Sequence, residues 1–339
     1  MLCIVVTKSF MRPSISDVAK HAGVSTATVS RVLNGSNAIR PHTRDKVQQA
    51  IDELGYTLPE NNNAPKLFGN KLVMVLVPNI DNPFYSGIVK GIESTAKENG
   101  YAVILTNTQG ESSLEKHYLD LLKQKQVSGV ISLTPMMTQQ TLPDEIQKLP
   151  WISCSEYNPE SPVPYVSINH KQAAKDAVLY LVSKGHERVA LVTSDSNYLY
   201  AQQREEGYRS ALQDAGIPIN EDYIQAMGDI DFPLGELAAR RLLTQPEPPT
   251  AIFAVADMLA IGVMKAVYQM GKEIPKDIAV IGFDDLPLAS MFIPSLTTIR
   301  QPTLDMGKTA MKMLMKKMAG EDVTSQIIHH TLMVRSSAK

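Results

Sequence analysis

Apolar residues follow two different periods along this chain, and the change of period divides it. In SISDVAKHAGVSTATVSRVLNG, Ser14 to Gly35, the positions Ile15, Val18, Ala19 and Ala22 recur at helical spacing. Ser14 offers a hydroxyl cap and Asp17 an acid three residues on, a near match to the capping box, and Gly23 stops the helix. Ser25, with Thr28 three later, caps a second short helix. Its Val29, Val32 and Leu33 face inward, and Asn34-Gly35 ends it. Pro41 suits a first helical position, and Val47, Ala50, Ile51 and Leu54 make the stripe of a third helix ended by Gly55. Helix, three-residue turn, helix is the helix-turn-helix arrangement. The three helices share one small core, with Ala19 small enough to permit a close crossing.

Residues 56–71, YTLPENNNAPKLFGNK, then break all periodicity with Pro59, Pro65 and three adjacent asparagines. This predicts a flexible tether over 57–71 between a head at 12–56 and a body at 72–339. In the body, near-continuous apolar runs alternate with helical stripes. Strands are predicted at 72–78, 102–106, 127–135, 150–156 and 165–170, with helices at 89–100 and 114–126. The pattern restarts with a helix at 170–185, a strand at 187–194 and a helix at 204–216. Strands at 250–255, 278–283 and 296–300, helices at 257–270 and 303–319, and a last strand QIIHHTLMVR (326–335) complete it. Buried strands alternating with helices mean parallel sheets flanked by helices. Two α/β lobes are expected, one from about 72–168 plus 301–330 and one from about 169–296. The fold class is thus an N-terminal all-α helix-turn-helix head plus a two-lobed α/β body.

Composition changes this picture little, but charge sharpens it. Apolar content of 44% and charged content of 20% over 339 residues are ordinary for a multidomain globular chain. The net charge is −2, yet Lys8, Arg12, Lys20, Arg31, Arg40, Arg44 and Lys46 face only Asp17 and Asp45 in the first fifty residues. A basic head sits on an acidic body. Cys3 and Cys154 are far apart, which predicts neither a disulfide framework nor a metal site. The opening MLCIVVTKSF has an apolar stretch of five residues, Leu2 to Val6, too short for an export signal. The chain reads as cytoplasmic with no membrane partner, and Met11 is a candidate biological start.

Where chemistry could reside follows from these elements. The second helix turns Thr26, Ala27 and Arg31 away from its core. Thr26 and Ala27 suit base edges and thymine methyls in a major groove. Ser25, Thr28, Ser30, Arg31 and Asn34 suit phosphates at a helix N-terminus, and Ser14 and Arg44 join them as DNA-binding candidates. The bland alternative, a helix pair packed on its own body, does not account for the positive head. In the body, ligands of open α/β sheets lie at the carboxyl ends of strands. Asn79, Asp81, Asn82, Phe84 and Tyr85 follow the first strand, Tyr198, Tyr200 and Arg204 a later one, and Asp257 and Asp284-Asp285 two more. Together they favour a polar organic ligand, although Asp257 is also placed to cap a helix.

Chemistry that would mark an enzyme is missing. HExxH, Walker A and GxSxG motifs do not occur, and Gly129, Gly185 and Gly282 are isolated. His329 and His330 are adjacent in a predicted strand and so face opposite sides. No enzymatic activity, cofactor or metal is expected. A pure periplasmic receptor would lack the basic head and carry an export signal.

These stretches together are recognisable. The sequence resembles the lactose-repressor-type family of bacterial transcription regulators over residues 12–336. The likeness is carried by SISDVAKHAGVSTATVSRVLNG with TRDKVQQAIDELGY, and by VPNIDNPFYSGIVKGIE, REEGYRSAL, PPTAIFAVADMLAIGVMKAV, IAVIGFDDLP and LTTIRQPTLDMGKTAMKML. The resemblance implies a homodimer on a near-palindromic double-stranded operator, a body like periplasmic sugar-binding proteins, and an effector in the cleft that alters operator affinity. It maps the family's effector arginine onto Arg204, its acid onto Asp284, and its first-loop aromatics onto Phe84 and Tyr85. Asp257 falls on the Asp or Asn opening the helix after the TA[IV]F strand. LDLLKQKQVSGVISL and SEYNPESPVP look like the cytidine-responsive members, which implies a nucleoside effector, best cytidine; ribose, another pentose or a hexose is the alternative. A repressor released by an inducer is the better reading, and a corepressed form the other.

Three departures stand out. Many members have Tyr-x-Pro-Asn and then Ala-Arg-x-Leu, a hinge helix whose leucine wedges the minor groove. Here Pro59, Pro65 and the asparagine run discourage that helix, and Leu67 is the one weak candidate wedge. A looser tether is implied, tolerant of operator spacing or dependent on another DNA-bound regulator. Asn169-His170 stand where an Asp-Asn pair is common, which makes Asn169 an effector candidate lacking a charge. Arg40 occupies a usual helix-cap slot.

Overall fold

In a computed structural model, the structure describes residues 13–33, 39–56, 71–122, 127–135 and 148–339. Asn34, Gly35 and the hinge candidates Pro59, Pro65 and Leu67 lie outside these. The chain divides into two compact units, one up to Leu67 and one from Phe68 onward.

In the first unit, α1 (Ile15–Ala22), α2 (Thr26–Leu33) and α3 (Pro41–Leu54) surround Val18, Ala19, Val29, Val32, Val47, Ala50 and Tyr56. The capping box is formed in both directions. The Asp17 N–H donates to the Ser14 hydroxyl at 3.3 Å, and the Ser14 N–H donates to the Asp17 carboxylate at 2.8 Å. Gly23 closes α1 at φ +66°, a left-handed conformation that side chains with a Cβ resist. Arg40 precedes α3 without a side-chain cap, and Pro41 opens the helix instead. His21 of α1 lies 2.7 Å from Glu53 of α3, a tie across the bundle that the apolar pattern does not reveal.

The second unit holds β1 (Leu72–Val77), α4 (Phe84–Glu98), β2 (Ala102–Asn107), α5 (Ser112–Leu122), β3 (Val127–Ser132), β4 (Trp151–Cys154) and β5 (Tyr165–Ile168). The chain continues through α6 (His170–Ser183), β6 (Val189–Thr193), α7 (Leu199–Asp214), β7 (Ile224–Ala226), α8 (Phe232–Leu243), β8 (Ala251–Ala254) and α9 (Asp257–Gln269). It ends with β9 (Ala279–Asp284), α10 (Pro287–Met291), β10 (Thr297–Arg300), α11 (Thr303–Met318), β11 (Gln326–Ile328) and β12 (Thr331–Met333). One sheet has the order β11-β5-β4-β3-β1-β2 and is parallel throughout. The other has the order β12-β10-β9-β8-β6-β7 and is parallel except for β12. Val73, Val75, Ile131, Ile152 and Val166 are wholly buried in the first lobe, and Ala190, Val192, Ile252, Phe253 and Val280 in the second.

The chain passes between the sheets after β5, after β10 and after β11. The last passage corrects the expected strand at 326–335. The run is two strands in different sheets, and His329 and His330 sit in the connection, with His330 2.9 Å from Asp176 of α6. The His329-His330 pair interrupts the apolar run at that point, but such a pair does not by itself mark a change of sheet. β10 and β12 belong to the second sheet, outside both expected lobe ranges. Two helices start earlier than their stripes suggest, α4 at Phe84 and α7 at Leu199, because their first turns carry polar and aromatic residues toward a cleft. The helix α8 was not predicted, although Asp231 caps it by accepting the Leu234 N–H at 2.7 Å.

Candidate functional site

On the head, Thr26, Ala27 and Arg31 are exposed on α2, opposite the buried Val29 and Val32. Lys20, Arg40 and Lys46 are exposed as well, while Ser30 and Arg44 are half-buried. The Ser25 and Thr28 hydroxyls lie 2.9 Å apart, and the Thr28 N–H donates to the Ser25 hydroxyl at 3.2 Å. Ser25 therefore caps α2 and leaves the other N–H groups of its first turn outward. Ser14 is exposed but committed to the α1 capping box. A convex helix face with short hydroxyls, a methyl and a guanidinium can enter a major groove.

On the body, the carboxyl ends of both sheets border one cleft of about 340 Å³. Asn79, Asp81, Asn82, Tyr85, Asn107 and Thr134 line it from the first lobe, and Tyr198, Tyr200, Asp229 and Ile230 from the second. A narrow recess at its deep end is bordered by Phe84, Tyr85, Glu156, Tyr200, Arg204 and Asp284. The Tyr198 and Tyr200 rings stack 5.5 Å apart, and the Tyr85 hydroxyl lies 3.4 Å from that of Thr134. Burial pushes the Tyr85 and Tyr200 phenols up, so both remain neutral donors. The side-chain oxygen of Asn107 is buried without a hydrogen-bond partner among the described residues, an acceptor left open at the cleft wall.

Arg204 is the fixed centre of the recess. Its guanidinium lies 3.6 Å from the centre of the Phe283 ring and 4.9 Å from that of Tyr200. Its Nε donates to His170 Nδ1 at 3.3 Å, and Nη1 donates to the Val255 carbonyl. Burial and the neighbouring Arg204 charge hold the His170 pKa well below its ordinary value, so the ring is neutral and accepts through Nδ1. Its Nε2 faces the Ser167 hydroxyl at 3.4 Å, which donates to the Ser155 carbonyl at 2.7 Å. Gly207 lets α7 approach α6 closely: a Cβ there would fall 2.2 Å from the Lys171 carbonyl oxygen. That approach seats Arg204, one turn earlier, against His170.

Asp284 lies 4.0 Å from Arg204 and accepts from Gln301 at 2.8 Å. Burial raises its pKa to about 6 and Arg204 opposes the rise. Asp284 and Asp285 have φ of 121° and 56°, a strained pair for residues with a Cβ. The strain is held from below. Asp285 binds Arg300 and Arg335, each at 2.6 Å, and this turns Asp284 toward Arg204.

Two effector candidates lie elsewhere. Asp257 is fully buried and does not reach the cleft. It accepts from the Thr298 hydroxyl at 2.6 Å and from the Leu286 N–H at 2.7 Å, so it pins the loop that carries Asp284. Burial and the Asp284 charge raise its pKa far above the ordinary carboxylate range. Gly282 makes room for it, since a Cβ there would lie 2.3 Å from its oxygen. Asn169 is exposed, and its side-chain oxygen caps α6 by accepting from the Gln172 N–H at 2.9 Å. Of the other body candidates, Asp81, Phe84, Tyr85, Tyr200, Arg204 and Asp284 border the cleft or its recess. Sequence reasoning missed Glu156, Asn107, Thr134, Asp229 and the role of His170. Glu156 and Asn107 carried a signal, as polar residues at the carboxyl ends of apolar runs.

Two family models match the chain in the same division. Residues 14–58 match the bacterial regulatory proteins of the lacI family. Residues 70–336 match the periplasmic binding proteins and sugar binding domain of the LacI family. The chain belongs to the LacI family of bacterial regulatory proteins. It is a DNA-binding transcriptional regulator with a ligand-sensing body. The repressor CytR of Escherichia coli K12 is 35% identical over 329 residues, covering 96% of each chain. The ribose operon repressor of the same strain is 36% identical over 330 residues, covering 96% of this chain and 99% of its own. Among solved structures, the lac repressor dimer bound to operator and the anti-inducer ONPF is similar with a TM-score of 0.73 and 28% identity, covering 97% of this chain and 99% of its own. Among the described residues no helix is long and apolar enough to cross a membrane, and no cluster of three metal-ligating side chains occurs.

Proposed function

We propose that this regulator is a homodimeric repressor that reads its operator through α2 and is released by a nucleoside, best cytidine, in the cleft between its lobes. Thr26 and Ala27 read base edges, with Arg31 beside them. Ser14, Ser25, Thr28, Ser30, Asn34 and Arg44 contact phosphates. Asp81, Phe84, Tyr85, Tyr200, Arg204 and Asp284 bind the effector. The observation that carries the cleft assignment is the buried Arg204–Asp284 pair beneath tyrosine rings, in a cleft of about 340 Å³ at the strand ends. Arg and Asp pair with ribose hydroxyls, the rings suit a pyrimidine face, and the open Asn107 acceptor suits an amino or hydroxyl group. The likeness to CytR over 96% of both chains supports the same choice. A pentose alone is the second reading, favoured by the narrowness of the recess and by the likeness to a ribose operon repressor.

A second copy of the chain is the expected partner on the body. Tyr268 and Ile293, 82% and 98% exposed, lie on one surface of the second lobe with Phe292 and Pro294, and Met291, 73% exposed, immediately precedes Phe292 in the chain. Single exposed apolar residues are normal, but a contiguous group of this size marks an interface. Two-fold pairing then matches two operator half-sites. The hinge with Pro59, Pro65 and Leu67 passes lobe closure to the heads, alone or with another DNA-bound regulator. A mobility-shift titration of the full chain with and without cytidine, at several salt concentrations, tests the reading. Sequence-specific shifts that weaken with salt and are relieved by cytidine are expected. Relief by ribose and not by cytidine selects the pentose, and the absence of any specific shift defeats the assignment.

A further inference from the structure

Glu156 is a buried carboxylate that the binding scheme above does not use. It follows β4 in the first lobe and is 8% exposed. Its two oxygens accept from the N–H groups of Leu199, at 2.9 Å, and Tyr200, at 3.3 Å. Those residues open α7, which belongs to the second lobe. Tyr198, the residue before them, has no side-chain cap bond to α7. The N-terminus of α7 is therefore capped by the opposite lobe. Helix N-termini carry unsatisfied N–H groups and partial positive charge, and a carboxylate satisfies both. Among the described residues, no Lys or Arg lies within ion-pair distance of Glu156. Facing it are Arg204 and Tyr200 from α7, Tyr198 just before that helix, and Tyr85 from α4. Asp284 shares the recess, and Glu160 and Asp195 line a cavity on its other side.

We infer that Glu156 is a positioning residue for effector binding, drawing the start of α7, with Tyr200 and Arg204, across the cleft onto the first lobe. This rests on reading the cleft as the effector site. Opening the lobes breaks both bonds and exposes the carboxylate, so Glu156 sets part of the closing equilibrium that the effector exploits. Burial raises the Glu156 pKa to about 7. In an open, solvated cleft the value returns to the ordinary glutamate range. The closed form thus binds a proton more readily than the open form. Closure is favoured below the ordinary range and loses that advantage as pH rises through about 7. Between pH 6.5 and 8 the closing equilibrium falls about fourfold. The titration of Asp284, at about 6, is largely complete before this window.

Three variants of the full chain separate a cross-lobe cap from a merely structural acid. E156A removes both acceptors, and E156Q keeps the shape without the titration. L199P removes one donor and leaves the helix intact, because proline is accepted at a first helical position and Tyr198, at φ −90° and ψ 132°, already suits a following proline. In the ligand-free protein, amide exchange at Leu199 and Tyr200 is expected to be about tenfold slower in the wild type than in E156A, with β6 and α6 unchanged. Cytidine titration should weaken about fourfold from pH 6.5 to 8 in the wild type and stay flat in E156Q, and L199P should bind less tightly than the wild type. Equal amide exchange in wild type and E156A overturns the inference, whichever ligand binds. If ribose replaces cytidine in the titration, the effector assignment falls while the exchange result still decides the role of Glu156. If neither binds while exchange differs, the cleft assignment fails and the cross-lobe cap stands.

Discussion

Arg204 and Asp257 show how differently two buried ionisable side chains can serve one cleft. Arg204 has one open side: its remaining N–H groups and the Asp284 carboxylate border the recess, while His170, Val255 and two rings fix the rest. Lysine cannot reproduce the fork or the stacking. R204K is therefore expected to lose at least about tenfold in cytidine affinity, by calorimetry, with operator affinity in the absence of ligand unchanged. Asp257 faces inward instead, and D257A strands the Leu286 N–H and the Thr298 hydroxyl. Leaving such groups unpaired costs about 1–3 kcal/mol each. The variant should lower the melting temperature of the body in calorimetry and leave the head transition in place. On α2, T26A is expected to relax sequence choice more than total affinity. Mobility shifts on specific and scrambled duplexes check this, and an equal loss on both would remove Thr26 from base reading.

At the scale of elements, helix starts decide where polar groups go. α4 and α7 each begin with a turn that faces the cleft, so Phe84, Tyr85 and Tyr200 are helical residues and not loop residues. α7 depends on the other lobe for its cap, whereas α1 carries its own in Ser14 and Asp17. S14A should therefore destabilise the head alone, by about 1 kcal/mol, seen as a lower head transition and weaker operator binding with unchanged effector binding. α8 and α9 cross where Gly235 and Gly262 meet: a Cβ at Gly262 would fall 2.1 Å from the Phe232 carbonyl oxygen. G262A must push these helices apart, and a loss of about 1–3 kcal/mol in body stability is expected in chemical denaturation.

For the whole molecule, the two sheets are joined by three passages of chain, which makes opening and closing of one cleft the natural motion of the body. In the proposed scheme that motion is what links ligand binding to DNA binding. The exposed Tyr268, Met291 and Ile293 belong to this scale as well, as the proposed surface for pairing with a second copy of the chain. I293D is expected to shift the protein from dimer to monomer in sedimentation and to weaken operator binding sharply. Cytidine binding to each cleft should remain. A dimer that persists would place the pairing surface elsewhere.

The helix-turn-helix head, the alternation of strands and helices and the mainly parallel character of both sheets were legible in the sequence, but β7, α8, α10 and the division of 326–335 were not. Apolar period and capping residues can be read locally: Ser14 and Gly23 cap their own helix, and the spacing of Val29 and Val47 marks the inner face of theirs. Phe84, Tyr85, Arg204 and Asp284 could also be singled out, because strand ends are where such sheets leave polar groups. Only the tertiary structure separated Asp257 and Asn169 from them. A carboxylate before a helix reads alike whether it faces a cleft or pins a neighbouring loop, and its partners Leu286 and Thr298 are far along the chain. The role of Glu156 was hidden for the same reason, since its partners are two backbone N–H groups that no side-chain pattern encodes. The split of residues 326–335 between sheets likewise depended on which strand edges were free to accept each half, a property of the assembled lobes and not of the run itself.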